Sequence, residues 1–185
     1  MRVDVKTGLL VGVNQVLSPY FDERPTGVRP DLIVLHGISL PPGEFGGPWV
    51  ARLFTGNLPA DAHPEFRERA GLRVSAHLFV RRGGEVVQFV SFNDRAWHAG
   101  RSSWQGREAC NDYSIGIECE GTDEVPYSEA QYACLRKLLP MLLAAYPAIT
   151  RERIVGHSDV APGRKTDPGP SFDWGQIYLP TTSAS

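Results

Sequence analysis

The chain has 185 residues, 42% of them hydrophobic and 22% charged, with a formal net charge of −2 at pH 7. A chain of that length can bury most of its apolar surface in one core, so a single domain over residues 1–185 is expected. The two signs of charge are mixed and leave no basic face, which excludes a nucleic-acid partner, and no stretch approaches the length of a membrane span.

Arg2 and Lys6 precede an apolar run, Leu9 to Val13, that is broken by glycine and shorter than a signal-peptide core, so a cytoplasmic protein is expected. Leu32-Ile33-Val34-Leu35 reads as a buried strand, predicted over 31–36, that presents His36 as its last side chain. The loop Ser39–Gly47 follows, then a helix from about Pro48. Strands predicted over 74–82 and 85–90 form an antiparallel pair, with Gly83-Gly84 as a two-residue hairpin turn. In the next strand, predicted over 113–120, alternation puts Ile115, Ile117 and Cys119 on the core face and Glu118 and Glu120 opposite. A carboxylate between apolar strand residues requires a reason.

Ser128 and Gln131 have capping-box spacing and open a long helix whose apolar stripe is Leu135, Leu138, Leu139 and Leu142. Pro140 should kink that helix or end its first half, because proline lacks a donor and clashes with the preceding turn. A last strand, predicted over 153–156, leads into His157. Asp167 lies in the Pro/Gly-rich loop 162–170, where Pro168 biases it toward extended backbone and Lys165 projects to the same side. The pattern as a whole is α/β, a mixed central β-sheet flanked by helices, with no internal repeat or linker.

His36, His157 and Asp167 make a metal-ligand set if they converge. Two imidazoles and one carboxylate leave a tetrahedral Zn²⁺ one open position, the mark of a catalytic rather than a structural site. Spacing alone does not establish that convergence. Cys110, Cys119 and Cys134 lack metal spacing and read as free thiols in a reducing compartment, Cys119 and Cys134 on core faces.

The stretches Leu35-His36-Gly37-Ile38, Val74-Ser75-Ala76-His77, Arg95-Ala96-Trp97-His98-Ala99-Gly100, Ser114-Ile115-Gly116-Ile117-Glu118 and Lys165-Thr166-Asp167-Pro168-Gly169-Pro170 resemble the type 2 N-acetylmuramoyl-L-alanine amidases. The resemblance runs from about Val16 to Trp174, and so many ordered matches are far more specific than one short motif. It implies the fold of that family and of the peptidoglycan recognition proteins, with core about 16–174. It also implies Zn²⁺ on His36, His157 and Asp167, Glu118 as general base and then acid, and Lys165 as the positive charge facing the oxyanion. The bond cut would be the amide between the lactyl group of N-acetylmuramic acid and L-alanine. Within the family the chain most resembles enzymes of cytoplasmic muropeptide recycling that act on 1,6-anhydro fragments, whose loss influences β-lactamase induction where that is inducible. The partner implied is an anhydro-muropeptide, with no membrane and no obligate protein.

Substrate contacts are expected from Arg73, which can pair with a peptide carboxylate, from the flat face of Trp97 against a sugar ring, and from the Ala96 backbone. His77 and His98 are expected in the core or behind the ligands, and His63 in a structural role. The chain departs from the family pattern at Gly37, Glu65 and Ala109, where asparagine, tyrosine and arginine are expected. A lost amide at Gly37 would remove a substrate hydrogen bond, and the other two changes would alter the rim. One rival reading is a non-catalytic muropeptide-binding module that has lost a ligand; the complete set of five residues argues against it. The other is a secreted or phage-type amidase acting on the intact wall.

Overall fold

Four consecutive apolar residues, Leu32-Ile33-Val34-Leu35, have no polar face, and only a strand covered on both sides hides them all. That strand lies near the middle of a six-stranded sheet in the computed structural model, which describes residues 1–178. The strands are β1 (Asn14–Gln15), β2 (Leu32–Ile38), β3 (Leu78–Val80), β4 (Val86–Gln88), β5 (Ser114–Glu120) and β6 (Ile154–Gly156), in spatial order β6-β2-β5-β3-β4-β1. The run β6-β2-β5-β3 is parallel throughout, β3 and β4 are antiparallel, and β1 pairs parallel to β4.

Alternation sorts the side chains. Ile33 and Leu35 of β2, with Ile115, Ile117 and Cys119 of β5, join Leu135, Leu138, Leu139 and Leu142 of helix α2 (Glu129–Ala145) in the main core. On the other face, helix α1 (Trp49–Phe54) packs Val50, Leu53 and Phe54 with Phe66, Phe79 and Phe89. The architecture is thus a mixed central sheet in one domain, flanked by helices, as the sequence predicts. All seven residues of β5 are buried, Glu118 and Glu120 included, so its second face is covered as well as its first. The three cysteines are free and buried. Among the described residues no helix is long and apolar enough to cross a membrane.

Three expectations need correction. The hairpin between β3 and β4 has a three-residue loop, Arg82-Gly83-Gly84. The Gly84 N–H donates to the Arg81 carbonyl, the Arg81 N–H donates to the Glu85 carbonyl, and Gly84 takes φ +85°, a turn closed by a left-handed glycine. The strand predicted over 74–82 is confined to Leu78–Val80, because the Ser75 N–H turns instead to the Trp97 carbonyl and its hydroxyl donates to Tyr20. Of the two outcomes expected at Pro140, an end to the helix does not occur, since α2 runs through it to Ala145. The missing donor and ring clash cost roughly 3 kcal/mol. Four buried leucines on one stripe, each worth roughly 1.5–3 kcal/mol, outweigh that.

The capping box at the start of α2 is present in full. Ser128 Oγ accepts from the Gln131 N–H at 3.1 Å, and Gln131 Oε1 accepts from the Ser128 N–H at 3.0 Å. The Gln131 amide also donates to the carbonyls of Val80 and Glu120, fastening the helix to the ends of β3 and β5. Ser128→Ala should therefore cost about 1–2 kcal/mol of stability in urea denaturation, since it loses the cap and the bond from Ser128 Oγ to the Arg82 carbonyl. A change below a few tenths of a kcal/mol would show that the cap does not hold the helix.

Candidate metal centre

The register of three neighbouring parallel strands places the site. Glu118 of β5 is directly opposite His36 of β2, so both side chains leave the sheet on the same face. Gly156 of β6 pairs with Leu35, and the next residue, His157, continues that row as the first residue of the one-turn helix α3 (His157–Val160). His157, His36 and Glu118 thus stand side by side at the carboxyl ends of parallel strands, the usual place for a site in such sheets. β2 does not stop at His36 but continues to Ile38, so His36 is held by ladder on both sides. Asp167 is brought in by the loop after α3, where its carbonyl accepts from the Ser158 N–H at 3.0 Å.

The three predicted ligands converge. His36 Nδ1 and His157 Nδ1 are 3.0 Å apart, and Asp167 Oδ2 lies 3.2 Å from the first and 3.0 Å from the second. Tetrahedral zinc ligands at roughly 2.0–2.1 Å from the ion stand about 3.3 Å apart, so this triangle is close to one face of such a tetrahedron. The donor chemistry also fits. His157 Nε2 faces the Ala99 carbonyl at 3.2 Å, a group that only accepts, so Nε2 carries the proton and a neutral ring leaves Nδ1 bare. Bare nitrogen against a carboxylate oxygen is repulsive until a cation lies between them. Burial pushes the His36 imidazole down to about 4, against the smaller opposing effect of the neighbouring Asp167 carboxylate. Burial also works to raise the Asp167 carboxyl, but its close contacts with the His157 and His36 imidazoles outweigh it and hold the group well below the usual carboxylate range.

Glu118 is 8% exposed, and its Oε1 lies 3.9 Å from His36 Nδ1 while Oε2 has no hydrogen-bond partner. Burial, then the charge of Asp167, push its carboxyl well above the usual range, with Lys165 pulling the other way. A buried carboxyl without a partner lowers stability and suits a group that exchanges protons. Lys165 is exposed on the same loop as Asp167, and its ammonium makes no ion pair among the described residues. Behind the ligands, His36 Nε2 lies 2.9 Å from His98 Nδ1. Gly116 makes room for that ring, since a Cβ there would overlap the His98 imidazole. His77 is buried, with Nδ1 accepting from the Gly116 N–H, and His63 caps a short helical turn by accepting from the Glu65 N–H.

Glu118, Lys165, His36, His157 and Asp167 line one cavity of about 260 Å³, walled by Leu40, Leu53, Phe54, Leu72, Val74 and Trp97. A groove of about 550 Å³ adjoins it past Gly37 and Asp167, lined by Arg69, Thr122, Asp123, Arg164 and Thr166. Both predicted flanking loops contribute to these walls. Trp97 lines the cavity. Arg73 lies over the faces of Trp97 and Tyr20, at 5.5 and 5.8 Å, and is not in the cavity wall. Ala96 is fully buried in the aromatic core and pairs with Phe21 in a short ladder, so it does not reach the cavity.

Gly37 lines the cavity through its backbone. A Cβ there would overlap the Tyr127 hydroxyl, on the face turned away from the ligands, so an amide side chain at this position would not point at substrate. Glu65 acts on the rim through its 2.8 Å ion pair with Arg69, whereas Ala109 lies outside both cavities. Arg69 and Leu72 escaped the sequence reading because their segment is irregular and has no period to mark an inward face, and Val74, read as the start of a strand, lies in the cavity wall.

A family description, N-acetylmuramoyl-L-alanine amidase, matches residues 26–170 of the chain. The chain is 56% identical over 181 residues to the 1,6-anhydro-N-acetylmuramyl-L-alanine amidase AmpD of Enterobacter cloacae, covering 98% of this chain and 96% of that one. It is similar to a crystal structure of a selenomethionine AmpD derivative, with a TM-score of 0.92, 55% identity and coverage of 96% and 97%. It is also similar to AmpDh3 from Pseudomonas aeruginosa in complex with anhydromuramic pentapeptide, with a TM-score of 0.61 and 28% identity, covering 92% of this chain and 64% of that one.

Proposed function

Because the chain belongs to the N-acetylmuramoyl-L-alanine amidase family, we propose that it is a zinc-dependent amidase that hydrolyses the bond between the lactyl group of 1,6-anhydro-N-acetylmuramic acid and L-alanine. The observation that carries this reading is the triangle of His36 Nδ1, His157 Nδ1 and Asp167 Oδ2, with Glu118 beside it at the end of a cavity. The name of the E. cloacae relative and the ligand in the AmpDh3 complex support the choice of substrate.

His36, His157 and Asp167 would hold Zn²⁺, which when bound would supply Lewis acidity that lowers the pKa of water to about 7. Glu118 takes the proton from the attacking water, and the same carboxyl returns it to the L-alanine nitrogen as the C–N bond breaks. The Lys165 ammonium faces the amide oxygen as negative charge develops on it, an interaction worth roughly 3–4 kcal/mol in such sites. The products are the anhydro amino sugar and a free peptide. Trp97 and the apolar wall suit the sugar; the groove with Arg69, Arg164 and Lys165 suits an acidic stem peptide. Arg73 is then a support for the Trp97 ring.

A cytoplasmic role in recycling wall fragments follows from this substrate, and loss of the enzyme would let anhydro-muropeptides accumulate and influence β-lactamase induction. Assay of an anhydro-muropeptide beside intact sacculi tests the reading. Release of peptide from the fragment is expected, with sacculi poor substrates; cleavage of sacculi alone would overturn it. Lys165→Ala should lower kcat about 10²-fold or more, with zinc content and KM nearly unchanged. An unchanged kcat removes Lys165 from the chemistry, and loss of zinc makes it a partner of Asp167 instead.

A further inference from the structure

The two ligand histidines are backed by consecutive residues. His36 Nε2 lies 2.9 Å from His98 Nδ1, and His157 Nε2 lies 3.2 Å from the Ala99 carbonyl oxygen. A neutral imidazole that offers Nδ1 as a lone pair must keep its proton on Nε2, and in a buried site that proton needs an acceptor. The Ala99 carbonyl can only accept. His98 accepts at Nδ1 when its own proton is on Nε2, and Ser114 Oγ stands 3.2 Å from that nitrogen to receive it.

The backing pair is itself held from two sides. Asn111 Oδ1 accepts from the backbone N–H of His98 at 3.2 Å and of Ala99 at 2.8 Å. Arg164 donates to the Ala99 carbonyl at 2.6 Å and to the Arg101 carbonyl at 2.7 Å. Arg164 belongs to the loop that carries Asp167, so its bond to Ala99 ties the third ligand's loop to the acceptor behind the second.

We propose that His98 and Ala99 fix the tautomer and orientation of both metal histidines, with Asn111 and Arg164 as positioning residues that hold them in place. The inference rests on the metal reading above and deepens it. A packing role at position 98 needs only volume, whereas this role needs an acceptor at one atom. Asparagine and leucine are similar in size and differ in that respect, so the two substitutions separate the roles.

The test measures zinc affinity by competition with a chromophoric chelator, and the visible absorption of Co²⁺-loaded protein, for wild type, His98→Leu and His98→Asn. His98→Leu should weaken zinc binding about 10–100-fold and shift the Co²⁺ bands, whereas His98→Asn should stay within about threefold of wild type. Equal losses in both variants, or a loss in neither, overturn the proposal. Should His98→Leu fail to fold, Asn111→Ala and Asn111→Asp decide the same point, since aspartate keeps the Oδ1 acceptor for the two N–H groups. Weakened zinc binding in the alanine variant with retention in the aspartate variant supports the proposal, and equal behaviour overturns it. Wild-type protein that binds no zinc overturns the metal reading and this inference together; a failure confined to the variants overturns the inference alone.

Discussion

Glu118→Gln should lower turnover about 10²–10⁴-fold while zinc and substrate stay bound. Glutamine has the shape of glutamate and can still hydrogen-bond, but it cannot take a proton from water at neutral pH. Zinc content should survive because Glu118 stands 3.9 Å from His36 Nδ1 and is outside the ligand triangle. Thermal stability should be equal or higher, since the substitution removes a buried carboxyl whose Oε2 has no partner. Metal analysis, a melting curve and steady-state kinetics on this one variant give all three readouts. Near wild-type turnover would exclude Glu118 as the base, and loss of zinc would make it a ligand.

Purified protein should hold about one zinc per chain, and Asp167→Ala should lose metal and activity together. The triangle offers three protein atoms and no spare ligand, so two histidines alone leave the ion two open positions and a weaker hold. Asp167 is also the only charged member of the set, so its loss removes the attraction that offsets desolvation of the ion. Chelation of the wild type should abolish activity, and added Zn²⁺ should restore it; in the variant, restoration should need far more metal. Full zinc in Asp167→Ala by elemental analysis would remove Asp167 from the ligands.

Much of this was legible in the residues, for physical reasons that differ from place to place. The apolar run before His36 and the shorter one before His157 announce strands buried on both faces, and such strands are parallel neighbours delivering their ends to one edge. The alternation in 113–120 placed Glu118 opposite the helix-covered core, and Ser128 with Gln131 marked the start of α2. What the residues could not show was where turns and irregular segments lie in space. Gly83-Gly84 fits a two-residue or a three-residue loop equally well until strand register chooses. Pro140 looks like a break when propensity is considered alone, because the burial that overrides it is tertiary. Arg73 and Ala96 read as free to meet substrate because nothing local reveals the Tyr20–Trp97 stack or the ladder to Phe21. Arg69 and Leu72 are invisible for the converse reason, their segment having no pattern to read.

Gly116 lies two residues before Glu118 on the same strand, with the His98 imidazole where its side chain would be. In a saturation screen scored by growth or turnover, this position would register among the least tolerant in the chain, although it contributes neither a ligand nor a proton. Even a single methyl group would evict the imidazole that stands against His36, and the defect would be mistaken for lost chemistry. Intolerance at a glycine can thus map the hidden scaffolding of a reaction as faithfully as intolerance at its participants.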